Sequence, residues 1–209
     1  MKLKCLSLGS MDNNCYIISD ETTREAAIID APCEADEILG VLEQDGLTLQ
    51  YILLTHSHFD HVGAVNALRA ATGAKLAVHP LDAGELMHPT MRLSSPKIEH
   101  EPELLLGDGD EIRIGSGSLR TLHTPGHTRG GMCYYTPGKL FSGDTLFFLD
   151  VGRCDLPGGN YDTLKQSIRE KLYPLPDETE VYPGHGRSTT IGFEKANNHY
   201  VRQDWEYEY

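Results

Sequence analysis

Residues 52–63, ILLTHSHFDHVG, constrain this chain of 209 residues more than any other stretch: three histidines and an aspartate fill six positions directly behind an apolar run. LQYILLT (49–55) reads as a buried strand and HVGAVNALRAATG (61–73) as a helix closed by Gly73. The crowded turn therefore falls where a strand hands over to a helix. His56 and His58, two apart at an extended strand end, direct their side chains to one side. Asp60 then stands near a helix N-cap and His61 in the first turn. Two pairs of donors from one turn can address two neighbouring points, as a two-metal site requires. A lone histidine is more often a hydrogen-bonded structural residue. Four donors at this spacing are poorly explained in that way.

One turn cannot fill two coordination spheres, because zinc takes four ligands, or three and an open position. Three later places offer a metal-type side chain beside glycine at the end of an apolar strand: HTPGHTRGG with His127, LFSGDTLF with Asp144 and VYPGHGR with His185. Glycine at such points lets the backbone turn sharply and approach an ion.

The remaining pattern is α/β. LKCLSL, CYIIS and AAIID form an antiparallel meander, then EADEILGVLEQDG gives an amphipathic helix. AKLAVH is a strand and LDAGELMH a short helix, before a polar segment to about residue 103 that could cover a site. A second meander (DEIRIG, GSLRTLHT, MCYYTP, KLFSGD) leads to the helix YDTLKQSIREKLY, the strand EVYPG and a last helical segment from about Ile191. Strands and helices thus run in two similar successions with no linker between them, so a single domain over 1–209 is expected.

THSHFDH, TPGHT, SGDTLF and PGHG, in that order, resemble the metallo-β-lactamase fold hydrolases over nearly the whole chain. The resemblance implies a four-layered αβ/βα sandwich, two mixed β-sheets with helices on the outer faces and the metal site at the sheet edges. It also implies that His56, His58 and His127 hold one metal, that Asp60, His61 and His185 hold a second, and that Asp144 bridges them. Asp144 is unlike the second site of true β-lactamases and is similar to the glyoxalase II branch. GDTLFFLDVGRCDLPGG and PGHGRSTTIGFEKANN resemble the short glyoxalase II-like (hydroxyacylglutathione hydrolase-like) proteins of bacteria.

Two divalent ions, zinc before iron or manganese, would make hydroxide available at neutral pH without a protein nucleophile. A thiolate leaving group needs little protonation, since thiol pKa values lie near about 8.5. The expected activity is thioester hydrolysis, and the resemblance implies Asp60 as the catalytic residue that orients water and handles its proton. By the same resemblance Arg153 contacts substrate; a solvated arginine or one paired with Asp155 is the alternative. Full-length glyoxalase II enzymes carry a C-terminal helical domain for glutathione, and only about two dozen residues follow His185 here, so that domain is expected to be missing. A persulfide dioxygenase-like enzyme with one iron on His56, His127 and Asp144 is the rival activity, and a lactone or ester hydrolase a further one.

Net charge −13 with no cluster of lysine and arginine argues against nucleic acid as a partner. A small-molecule thioester or related substrate is expected instead, with the oligomeric state open. The N-terminus lacks the apolar core of a secretory signal, and no apolar run reaches the roughly 18 residues of a membrane span. With five cysteines and no C-x-x-C pair, the expectation is a cytoplasmic chain with free thiols, away from membranes. Cys154 lies in the Arg153 loop, but nothing nearby in sequence lowers its pKa. His79, His88, His100, His123 and His199 lack ligand spacing and read as structural or surface residues, with His123 a candidate support for His127. The aromatic tail WEYEY reads as packing or an oligomer contact.

Overall fold

The computed structural model describes residues 1–89 and 97–201. The aromatic tail and part of the polar segment ahead of residue 103 lie outside the described residues. Strands β1 (Lys2–Leu8), β2 (Asn13–Ser19) and β3 (Glu25–Ile29) form the expected meander. Helix α1 (Ala35–Gln44) then crosses over to β4 (Thr48–Leu53), and α2 (Val65–Thr72) crosses over to β5 (Lys75–Val78). Helix α3 (Pro80–Met87) precedes the short β6 (Leu104–Leu105). These six strands make one mixed sheet in chain order, antiparallel from β1 to β3 and parallel from β3 to β6.

The second half repeats the plan. Strands β7 (Glu111–Ile114), β8 (Gly117–His123), β9 (Met132–Thr136) and β10 (Lys139–Gly143) run antiparallel. A small hairpin of β11 (Leu146–Phe147) and β12 (Asp150–Val151) follows. Then α4 (Tyr161–Ser167), prolonged by a π-helical stretch over Ile168–Leu172, crosses to β13 (Glu180–Pro183), which lies parallel to β10. Strand β14 (Thr189–Thr190) closes the edge, and α5 (Ile191–Asn197) is the last helix. The sheet order is β14-β13-β10-β9-β8-β7.

Burial explains the layering. Strand β2 is buried along its whole length because both faces of its sheet are covered. Ile18, Ile29 and Leu53 meet Ile114, Leu119, Tyr134 and Phe141 of the other sheet in the central core. On one outer face Ile38, Leu42, Val65 and Leu68 of α1 and α2 cover Ile28, Ile52 and Leu76. On the other, Leu164, Ile168 and Ile191 cover Leu122, Leu140 and Val181. Each such side chain contributes about 1.5–3 kcal/mol on leaving water. Helix, sheet, sheet and helix layers are therefore stacked as expected.

Two local expectations need correction. The strand before the histidines ends at Leu53, so His56 and His58 do not sit on an extended strand end. Past it, backbone partners come from elsewhere: Leu54 N donates to Ala77 O, Thr55 N to the Asp30 carboxylate and Ser57 N to that of Asp82. Nor does a helix begin at His61. Phe59–His61 form a single 3-10 turn capped by His58, and α2 starts only at Val65. Ala31 N donates to His61 O and Ala64 N to Ala31 O, which ties residues 61–64 to the end of β3 instead of to a helical ladder. Asp60 is thus inside the 3-10 turn and not at an N-cap.

Candidate metal centre

Open α/β sheets gather ligands beyond the carboxyl ends of their parallel strands. Here β3 leads into Asp30, β4 into residues 55–61, β10 into Asp144 and β13 into His185, while the loop after β8 carries His127. All seven donors named from the sequence converge. Three overlapping groups have ligand atoms within 4.8 Å of one another: His56, His58 and His127; Asp60, His61 and His185; and His56, His61 and Asp144. The Asp144 carboxylate reaches both sides, with Oδ1 3.4 Å from His61 Nε2 and Oδ2 3.6 and 3.7 Å from Nε2 of His127 and His185.

The hydrogen bonds behind the rings fix which nitrogen faces inward. His127 Nδ1 donates to the Arg153 carbonyl at 2.7 Å and His185 Nδ1 to the Met11 carbonyl at 3.1 Å. A carbonyl only accepts, so in each neutral ring Nε2 keeps its lone pair. His61 Nδ1 lies 2.8 Å from Asp30 Oδ2. The Thr55 hydroxyl donates to that same oxygen at 2.8 Å and can then only accept from His56 Nδ1, 3.0 Å away. His58 is turned the other way, its Nδ1 2.9 Å from His127 Nε2. The arrangement presents Nε2 of four histidines and Nδ1 of the fifth.

His56 Nε2, His61 Nε2 and Asp144 Oδ1 are buried without a hydrogen-bond partner. His61 Nε2 and Asp144 Oδ1 are 3.4 Å apart but lack hydrogen-bond geometry. Buried polar atoms left in this way are costly. Lone pairs and carboxylate oxygens aimed at common points fit divalent cations, with imidazole and carboxylate donors of the kind zinc, iron and manganese accept.

The electrostatics grade across the cluster. Burial, reinforced by neighbouring imidazoles, holds His56 well below its ordinary pKa and pulls His58 down to about 4. For His61 burial acts in the same downward sense, but Asp144, Asp30 and Asp60 outweigh it and push the group up to about 10. Burial opposes ionisation of Asp60, yet the neighbouring His185 ring, the charge on His61 and a hydrogen bond from Asn13 keep it well below the usual carboxylate range. The Asp60, His61 and Asp144 side is therefore the one that draws positive charge.

Three supporting residues escaped the sequence reading. Asp30 joins His61 to Thr55. Asn13 Nδ2 lies 3.1 Å from Asp60 Oδ2 and 3.3 Å from His185 Nε2. Asp82 binds Ser57 N at 3.0 Å and Gly130 N at 2.7 Å, joining the loop of His56 to the loop of His127. Only Asp30 carried a visible signal, an acid at the end of the apolar strand AAIID. His123 does not support His127; it stacks on His79 at 4.0 Å and bonds the Arg129 carbonyl.

Glycine permits the close approach at Gly184, where a Cβ would collide with Asp144 Oδ1 and lie 2.8 Å from His61 Cε1. At Gly143, with φ +49°, a Cβ would run into Thr55. A pocket of about 560 Å³ opens beside the cluster, with Asp144, His185, Phe148, Arg153 and Arg187 on its wall. Arg153 is exposed and its Nε and Nη2 each donate to Asp155 at 2.8 Å, so the pairing weighed from the sequence is formed. The Cys154 thiol is pushed up by burial. A smaller cleft of about 260 Å³ borders His58 and Ser57 on Leu81 and Arg129.

With fold and donors in place, the family follows: the chain belongs to the metallo-beta-lactamase superfamily, whose family model matches residues 8–185. It is 35% identical to the hydroxyacylglutathione hydrolase GloC of Haemophilus influenzae over 209 residues, 96% of this chain and 98% of that one. Among solved structures it is similar to BLEG-1 B3 metallo-beta-lactamase (36% identity, TM-score 0.89, covering 96% and 99% of the two chains). It is also similar to TTHA1623 in a di-iron-bound form (36%, TM-score 0.84, covering 95% and 100%). The chain is thus a metal-dependent enzyme of the metallo-hydrolase class. None of its described helices is long and apolar enough to cross a membrane.

Proposed function

We propose that this protein is a thioester hydrolase of glyoxalase II type working with two divalent metal ions, zinc before iron or manganese. The observation that carries the reading is the convergence of seven donors into overlapping groups, with His56 Nε2, His61 Nε2 and Asp144 Oδ1 buried and unbonded. His56, His58 and His127 would hold one ion, Asp60, His61 and His185 the other, and Asp144 would face both. The likeness to GloC over 96% of this chain and 98% of that one supports the thioester class.

Bound there, the ions would supply Lewis acidity, offsetting charge that develops on a carbonyl oxygen and making water easier to deprotonate. The chain's own groups do the rest. Asp30, Thr55 and the Arg153 and Met11 carbonyls hold four rings so that Nε2 faces inward. Asn13 pins Asp60 Oδ2, leaving Oδ1 to accept a hydrogen bond from the attacking water and orient it. Water adds to the carbonyl carbon and releases one proton by way of Asp60 to solvent; the C–S bond then breaks, the sulfur leaves as thiolate without a dedicated acid, and the acyl half loses the second water proton to solvent as it becomes a carboxylate. Phe147, Phe148 and Val151 offer the substrate arm an apolar wall that limits water, and Arg153 completes that wall. Substrates are small molecules in this reading, in keeping with an acidic chain of net charge −13 that would repel nucleic acid and anionic membranes.

The test is elemental analysis of protein made without added metal, followed by a panel of thioester, lactone, β-lactam and persulfide substrates. Two ions per chain and thiol release from S-D-lactoylglutathione above a His56→Ala control are expected. Absence of release from every thioester would sink the reading. A persulfide dioxygenase-like enzyme is the second reading, favoured by the 3.6 Å approach of His127 Nε2 to Asp144 Oδ2. One iron per chain and oxygen uptake on glutathione persulfide would select it.

A further inference from the structure

Two arginines stand on the wall of the pocket beside Asp144 and His185, and their charges are disposed differently. Arg153 is met by both oxygens of Asp155 at 2.8 Å. Arg187 has no carboxylate partner among the described residues. Its guanidinium carbon lies 3.5 Å from the centre of the Phe148 ring, and Phe148 stacks in turn on Phe193, 5.2 Å away and 16° from parallel. An arginine laid on an aromatic face is fixed in orientation, yet its fork of N–H donors is not consumed by that contact. In a chain with net charge −13, a cation held off the acids among the described residues and turned onto a pocket wall is positioned for a charge that arrives from outside.

We propose that Arg187 determines substrate charge: it receives a carboxylate on the arm of the substrate that runs along Phe147, Phe148 and Val151. The inference rests on the thioesterase reading and narrows it to thioesters whose thiol half carries a free carboxylate. A carboxylate fits better than a phosphate. One unpaired cation matches one negative charge, and the Asp150 carboxylate on the same wall opposes a group bearing close to two. Arg153, already neutralised by Asp155, shapes the wall and supplies the carbonyl that orients His127.

The experiment uses the metal-loaded, full-length protein and two thioesters with the same acyl group, one of 3-mercaptopropionate and one of its neutral amide. The ratio of kcat/KM for the anionic over the neutral substrate is expected to fall about tenfold in Arg187→Ala, and less in Arg153→Ala. Raising the ionic strength should erode the preference of the unmodified enzyme but not that of the variant. Calorimetry with a non-hydrolysable thioether carrying the same carboxylate reads binding without turnover, and about tenfold weaker binding is expected in Arg187→Ala. Arg187→Gln, with metal content matching the parent, guards against a folding defect. The inference is overturned if Arg187→Ala leaves the ratio and the thioether affinity unchanged, or if Arg153→Ala lowers them as much. Thioether binding that depends on Arg187 without hydrolysis of either thioester would end the thioesterase reading and keep the anion site. Hydrolysis of both with no Arg187-dependent preference would do the reverse.

Discussion

The Asp30 carboxylate lies 2.8 Å from Nδ1 of His61, and so turns the opposite nitrogen of that ring toward the donor cluster. Asp30 is itself buried at the end of β3 with a positive φ of 56°. Carboxylates behind ligating histidines raise ligand basicity and fix ring orientation. Asp30→Asn is therefore expected to weaken metal binding by about tenfold to a hundredfold. A chelator-competition titration measures it, and an unaltered affinity would show that the contact only serves folding.

Removing the metal should also be felt in stability. A ligand that binds only the folded state adds about 2.7 kcal/mol at a concentration 100 times its dissociation constant. Chelation is expected to lower the melting temperature and abolish turnover, and divalent metal added back should restore both. His56→Ala should start from the lower melting temperature and gain little from added metal. Equal melting temperatures with and without chelator would contradict the assignment of these donors.

Gly184 gives a purely steric prediction. Its φ is not positive, so alanine is tolerated by the backbone, but the new Cβ would press on Asp144 Oδ1 and His61 Cε1. Gly184→Ala should lose at least about tenfold in kcat/KM, since small misplacements of reacting groups are amplified in rate. The fold should hold, as read by circular dichroism. Full activity in this variant would mean that the carboxylate of Asp144 has room to spare.

Acid sensitivity should come from a group far from the metal centre. Asp20 accepts hydrogen bonds from Thr22 N, Thr23 N and Ser116 N at 2.7, 2.8 and 2.8 Å, and from the Ser116 hydroxyl, so it ties the β2–β3 turn to the β7–β8 turn. The Ser116 hydroxyl, with the three amides, holds the carboxyl well below its ordinary value of 3.8. A depressed folded-state pKa contributes stability that is fully present above 3.8 and is lost as the pH falls below it. Asp20→Asn should be the less stable protein near neutrality, and the gap should close as both are titrated into acid. Urea denaturation across that range checks it; a gap independent of pH would refute the linkage.

Strands such as CYIIS and KLFSG were legible because period-two and continuous apolar runs are local signals. The seven donors were legible because each stands beside glycine or in one dense turn. Asn13 and Asp82 were not: Asn13 meets its partners 47 and 172 residues away, and Asp82 binds Ser57 and Gly130 at separations of 25 and 48. No spacing rule reaches that far, since sheet order brings them together. The late start of α2 was hidden for the same reason, because the competing hydrogen bonds come from Ala31 on another element. Arg187 was visible as a charge, but that it rests on Phe148 and not on an acid is a property of the folded loop.

The seam between β2 and the last donor loop has a consequence for how the protein is made. Asn14 N donates to Gly184 O, Asn14 Nδ2 to the carbonyls of Pro183 and Gly186, and the Tyr16 hydroxyl to Pro183 O, so the start of the chain grips the segment that carries His185. A nascent chain emerging from the ribosome exposes His56, His58, Asp60 and His61 long before it exposes the partners that complete either donor set. Completion of the donor cluster is thus a late step in folding, timed by the arrival of residues 183–186 at a strand that was among the first to be synthesised.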